Sequence, residues 1–95
     1  MPGIALWVEF TAKPGQGKAL EALIRDHAAR TLSEEDGCER FDVLTPAEGG
    51  NVLYLYEVYR DDEAFDLHRN SRLLKETRAA YAPLVADVSL KVCNL

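Results

Sequence analysis

Cysteine is scarce in this chain. Its two thiols, Cys38 and Cys93, form no CxxC motif and no spacing that would hold a metal, and they read as reduced thiols of a cytoplasmic protein. Long hydrophobic runs are missing too. No apolar stretch approaches the length that spans a bilayer and no signal-type segment opens the chain, so a membrane is not an expected partner. Positive charge is in the minority, with 11 Lys and Arg against 16 Asp and Glu and a formal net charge of −5. Nucleic acid, which would want a basic stripe, is not an expected partner either, although a local basic pocket stays open. There is no Gly-rich phosphate loop, no GxSxG elbow, no nucleophile–base pair and no His/Cys/carboxylate set at strong metal spacing. An enzyme made from this sequence is therefore expected to work without a bound nucleotide, metal or other cofactor. Proton transfer, together with the reactivity of a small-molecule substrate, would carry its chemistry.

What is present suits one globular domain over residues 1–95. Ile4 to Thr11 is β-branched and aromatic with no breaker, which predicts a strand. Lys13-Pro14-Gly15-Gln16-Gly17 then turns the chain. Leu20, Leu23, Ile24, Ala28, Thr31 and Leu32 recur at the helical period and predict a helix from Lys18 to Leu32, closed at Gly37 by a turn with positive φ. Cys38 to Thr45 and Val52 to Tyr59 predict a hairpin around Pro46–Asn51. Asp61 is an N-cap for a helix carrying Ala64, Phe65 and His68; Ser71 caps a second short helix carrying Leu73, Leu74 and Tyr81, which Pro83 stops. Leu84 to Val92 alternates as a last strand.

The order strand, helix, strand, strand, helix, strand is the split βαβ arrangement of a ferredoxin-like α+β sandwich. Strands one and three are apolar on both sides and belong in the middle of the sheet; strands two and four alternate with polar residues, as edges do. Two helices cover only one sheet face. The apolar side chains on the other face point to a homodimer that packs sheet against sheet.

Two ionisable residues stand out. Glu57 falls inside the third strand on the side of Leu53, Leu55 and Tyr59. Buried there, its carboxyl is either ion-paired with Arg40 or Arg72, or held at a raised pKa for acid/base work. His68 lies one helical turn beyond Ala64 and Phe65 and projects toward the sheet. It is either a core histidine bonded to a carbonyl or the partner of Glu57, because the tight turn after Tyr59 brings Glu57, Tyr59 and His68 into one neighbourhood. His27 borders the apolar stripe of the first helix and reads as structural. Trp7, which shares a strand face with Glu9, is either core or the lining of an aromatic pocket.

The stretch Gly37-Cys38-Glu39-Arg40-Phe41-Asp42-Val43-Leu44 resembles the second strand of the antibiotic biosynthesis monooxygenase family. Tyr56-Glu57-Val58-Tyr59, followed by Asp61, Ala64-Phe65 and His68, resembles a second segment of that family, and Thr11–Gly15 its opening turn. The resemblance implies a dimeric α+β barrel of ferredoxin-like subunits with a ligand pocket between helices and sheet. It also implies one of several chemistries: cofactor-free oxygenation of quinols or anthrones, haem degradation, or isomerisation of a phosphorylated sugar. Glu57 and His68 carry over as catalytic residues, with Arg72, Tyr59, Trp7, Phe41, Phe65 and Tyr81 as the expected substrate contacts. Arg72 stands where many members have a second histidine. A guanidinium cannot serve as a base near neutral pH, so its presence points to an anionic substrate group. Haem chemistry ranks low, with no axial ligand candidate beyond His68.

The resulting expectation is a small monooxygenase that deprotonates a quinol or phenol and lets the anion react with O₂. The alternatives are an isomerase of a phosphorylated or carboxylated keto compound, with Arg72 gripping the anion, and a non-catalytic dimer that binds a small ligand.

Overall fold

The computed structural model describes residues 3–95, so the first two residues of the domain read over 1–95 lie outside the described residues. The elements follow the expected order, the two short helices capped by Asp61 and Ser71 included. β1 (Ile4–Ala12), α1 (Gly17–Glu34), β2 (Cys38–Leu44) and β3 (Val52–Tyr59) are followed by two short helices, α2 (Asp62–Arg69) and α3 (Arg72–Tyr81), and then by β4 (Val85–Asn94). Each short helix starts where a side chain satisfies an orphan amide. Asp61 accepts from the Ala64 N–H at 2.9 Å and Ser71 from the Leu74 N–H at 3.0 Å. Pro83 sits in a 3₁₀ turn (Ala82–Leu84) that ends α3 and delays β4 to Val85.

The four strands form one antiparallel sheet in the order β2-β3-β1-β4, with β1 and β3 central. Register settles the faces, because directly opposed residues share one. Leu6, Val8 and Phe10 of β1 oppose Glu57, Leu55 and Leu53 of β3, and this row faces the helices. Ala5, Trp7 and Glu9 oppose Val58, Tyr56 and Tyr54 on the open face, where Trp7 stacks on Tyr54 at 5.3 Å between centroids. The helices leave β4 largely uncovered. Val88, Leu90 and Val92 oppose Phe10, Val8 and Leu6 on the helix side, yet they are 45%, 53% and 53% exposed.

Gly37 has a different role from the one its turn position suggests. Positive φ occurs at Gly15, Gly49 and Gly50, whereas Gly37 lets the end of α1 approach α2. A Cβ there would overlap the Ala64 methyl and lie 3.3 Å from the Ala64 Cα. Because that contact is with packed backbone rather than a flexible tip, Gly37→Ala is expected to destabilise the domain by about 2 kcal/mol, the usual cost of overpacking. A fall in the urea midpoint at unchanged m-value would show it; an unchanged midpoint would mean the α1–α2 seam is loose.

Candidate active site

The helix-facing side of β3 has three large apolar or aromatic residues and one carboxyl, Glu57, which is 4% exposed. Only Arg60 and Asp61 separate the end of β3 from α2, so the helix folds straight back over its own strand. His68, one turn beyond the packed Ala64 and Phe65, is thereby laid against Tyr59 with 4.9 Å between ring centroids. Its Nε2 stands 3.8 Å from Glu57 Oε1. The Tyr59 hydroxyl donates to that same carboxyl oxygen at 2.6 Å. On the far side of the imidazole, Nδ1 lies 2.9 Å from Glu35 Oε1, a residue 33 positions away on the turn that follows α1. Donation of Nδ1–H to this carboxylate fixes the tautomer and leaves the Nε2 lone pair for the Glu57 side.

A second imidazole closes the group. His27 of α1 lies 5.9 Å from His68 between centroids and packs edge-on against Phe41. Thr31 donates its hydroxyl proton to the His27 carbonyl at 2.8 Å, so at its longer 3.5 Å contact with Nε2 it can only accept. Nδ1 of His27 then accepts from the Thr77 hydroxyl at 2.8 Å. Both nitrogens are engaged, and His27 is a wall of the site rather than a free base.

These side chains border a cavity of about 300 Å³ between the sheet and α1, α2 and α3. That lies at the small end of ligand sites and suits one or two fused rings. Leu6, Val8, Phe10, Leu55 and Phe65 make much of the wall; Glu57, His68 and His27 supply polar atoms, and Arg69 and Arg78 reach it from α2 and α3. Burial dominates the electrostatics. It pushes the Glu57 carboxyl up to about 7, against the Tyr59 hydrogen bond and with help from the Glu35 charge. Burial also pulls His27 and His68 down to about 4, aided by His68 for the former and by Arg78 for the latter, while the Glu35 carboxylate on Nδ1 opposes the fall in His68. Both imidazoles are neutral at pH 7, and Glu57 is the group poised there. Tyr59 is driven above its ordinary range by burial and by Glu57, so it remains a donor. Burial and the Glu57 charge raise the Cys38 thiol to about 11, which leaves it an unreactive core residue.

Of the residues expected in the site, Glu57, His68, Phe41, Phe65 and Tyr81 border the cavity. Tyr59 is sealed behind it, with 0% exposure, and its hydroxyl serves the site through Glu57. Trp7 lies on the opposite sheet face, because odd positions of β1 point away from the helices. Arg72 is also outside: its side chain is 92% exposed and pairs with Glu76 at 3.3 Å on the solvent side of α3. Neither arginine expected to neutralise Glu57 does so, since Arg40 pairs with Asp42 at 2.6 Å, out from the core. Glu35, Thr77 and Arg78 were not anticipated. Arg78 was nevertheless legible, since Leu74, Thr77, Arg78 and Tyr81 form one stripe at helical spacing. Among the described residues no group of three or more His, Cys, Asp or Glu side chains is placed to hold a metal ion, and no helix is long and apolar enough to cross a membrane.

The sequence model of the family described as "Antibiotic biosynthesis monooxygenase" matches residues 3–80. The chain belongs to the antibiotic biosynthesis monooxygenase family. It is 35% identical over 82 residues to a Mycobacterium tuberculosis protein named "Putative monooxygenase Rv0793", covering 86% of this chain and 79% of that one. The solved structure of that protein superposes with a TM-score of 0.85 over 96% of this chain and 92% of its own. A Pseudomonas aeruginosa structure, PA3566, is similar at a TM-score of 0.90, with 25% identity and coverage of 100% and 95%. For a Chloroflexus aurantiacus structure bearing the family's name, at 21% identity, coverage of 98% and 92% and a TM-score of 0.83, the likeness is one of fold.

For this family member the buried groups set a pH dependence of stability. Between pH 4.5 and 6.5 the unfolded chain protonates both histidines, from an ordinary 6.5, while the native state does not. Over the same window the native state alone protonates Glu57, from an ordinary 4.5. From these three groups the unfolded state thus binds a net one proton more, two from the histidines less one from Glu57, and their contribution makes stability rise with pH by about 1.4 kcal/mol per unit, an increase that the raised Glu35 carboxyl opposes. Glu57→Gln removes the opposing proton and should roughly double that slope in urea unfolding at stepped pH. A slope that stays the same or becomes shallower in the variant would contradict a protonated Glu57.

Proposed function

We propose that the protein is a monooxygenase of small quinols or phenols in which its own side chains supply the proton chemistry. The observation that carries this reading is one cavity sized for a ring system, with a carboxyl poised near pH 7 and a neutral imidazole on the same wall. Of the two bases, Glu57 is the stronger by the order of their pKa values, about 7 against about 4. Glu57 takes the proton of a substrate hydroxyl. His68, its ring held by Glu35, lies beside that carboxyl and shapes the place where the hydroxyl docks. The quinol anion donates one electron to O₂, and the semiquinone and superoxide combine at a ring carbon as a hydroperoxide. Loss of water across that carbon, with its ring hydrogen leaving as a proton, gives the hydroxyquinone; quinol plus O₂ becomes hydroxyquinone plus H₂O. The apolar walls keep bulk water from the anion.

The open sheet face supports a homodimer. Trp7, Tyr54 and Tyr56 remain partly exposed there, and pairing with a second copy through this face would bury them. Trp7→Lys is expected to convert a dimer to monomer in sedimentation velocity while leaving the circular dichroism of the fold intact. A wild-type protein that sediments as a monomer at tens of micromolar would exclude this interface.

Oxygen uptake over a panel of hydroquinones and naphthoquinols tests the chemistry. kcat/KM should rise with pH through an apparent pKa of about 7, as Glu57 ionises. Glu57→Gln should lose that limb and about 10² to 10³ in rate, within the range general bases contribute. His68→Gln should also slow uptake but keep the limb. Uptake indifferent to both substitutions would refute the mechanism.

A further inference from the structure

The cavity has one unbalanced charge. Arg25, Arg30, Arg40, Arg60, Arg69 and Arg72 each stand within 3.6 Å of a carboxylate. Arg78 is the exception: among the described residues it has neither an ion-pair partner nor a side-chain hydrogen bond, in a chain with five more formal negative charges than positive. It is also the arginine whose position on the Leu74–Thr77–Tyr81 stripe turns it toward the cavity. Arg69 lines the same cavity but is held by Asp66 and lies over the Phe65 ring, 4.9 Å from its centroid. Arg78 is solvent-facing at the rim, so its charge is not sealed into the core. Its field nonetheless reaches inward, where it disfavours protonation of His68.

The geometry points to an anion-binding subsite at the cavity mouth, in which Arg78 receives the carboxylate of an aromatic substrate whose ring lies between Leu6, Val8 and Phe65 and whose hydroxyl meets Glu57. A planar guanidinium fork suits a carboxylate, and the apolar walls suit a ring. This inference rests on the quinol reading of the same cavity and narrows its substrate class to hydroxylated aromatic acids. It moves the anion contact expected at Arg72 to a side chain that borders the site.

Calorimetric titration with a matched pair tests it: 2,5-dihydroxybenzoate against the neutral isostere 2,5-dihydroxybenzamide, at pH 8 and low salt. Wild type is expected to bind the carboxylate about tenfold more tightly, the scale of one charge-assisted hydrogen bond at a solvent-facing rim. Arg78→Gln should abolish the preference by weakening the carboxylate alone, and Arg72→Gln should leave it intact. Equal affinity for the two compounds in wild type, a preference that survives Arg78→Gln, or no binding of either compound would overturn the subsite. The monooxygenase reading is judged separately, by His68-dependent oxygen uptake with the benzamide, which needs no anion contact.

Discussion

The site depends on a carboxyl group placed where the sheet has no water to offer it. Glu57 faces Leu6 across the β1–β3 ladder and Phe41 across the β2–β3 ladder, so its nearest neighbours on both sides are hydrocarbon. Ionised and unpartnered there, it would be costly; the fold offers a phenol donor from its own strand and an imidazole from the next helix. The result is a compromise. The Tyr59 hydrogen bond stabilises the anion, desolvation disfavours it, and the balance falls near neutral pH. The neighbouring groups are arranged around that balance. Glu35 orients His68, His68 borders Glu57, and His27, held in place by two threonines, is kept neutral by burial, so that no positive charge inside the cavity collapses the carboxyl to its ordinary range.

Strand parity explains most of what could be read from the sequence. Alternation along β1 and β3 sorts Leu6, Val8, Phe10, Leu53 and Leu55 onto one face, and with them Glu57 as the residue out of place. His68 follows from the same logic on α2, since a short helix tied to its strand by two residues has little choice of which face to bury. The same parity rule, applied to Trp7, places it with Glu9 on the far face, where the structure has it, so that of the two roles open to Trp7 in the sequence the cavity lining falls away. Arg72 was favoured by its position in a family motif, but it precedes Leu73 on the solvent side of α3, and the helical stripe containing Arg78 carried the better signal.

Glu35 was not legible for a different reason. It lies in an acidic run, Ser33-Glu34-Glu35-Asp36, that looks like the solvated end of a helix. Its contact with His68 spans 33 positions and exists because Gly37 lets the exit of α1 close onto Ala64. No local periodicity encodes such a meeting; it is a product of how two elements dock. His27 was undervalued similarly, because its two threonine partners come from different helices and only Thr31 is near it in sequence.

The buried ionisable residues and the charged rim belong to separate layers of the molecule. Glu57 and Tyr59 are strand residues locked in the core, while Arg78 is an exposed residue near the end of α3, a helix whose buried side chains are Leu73 and Thr77. Substitutions at the rim therefore cost the fold little, whereas substitutions at the acid strike its centre. Descent with modification can exploit that asymmetry: a lineage can exchange one rim side chain after another while the buried Glu57–Tyr59 pair stays in place. A ninety-five-residue scaffold with its buried acid in the sheet and a charged rim on a surface helix tolerates change at the edge of its cavity before it tolerates change at the floor.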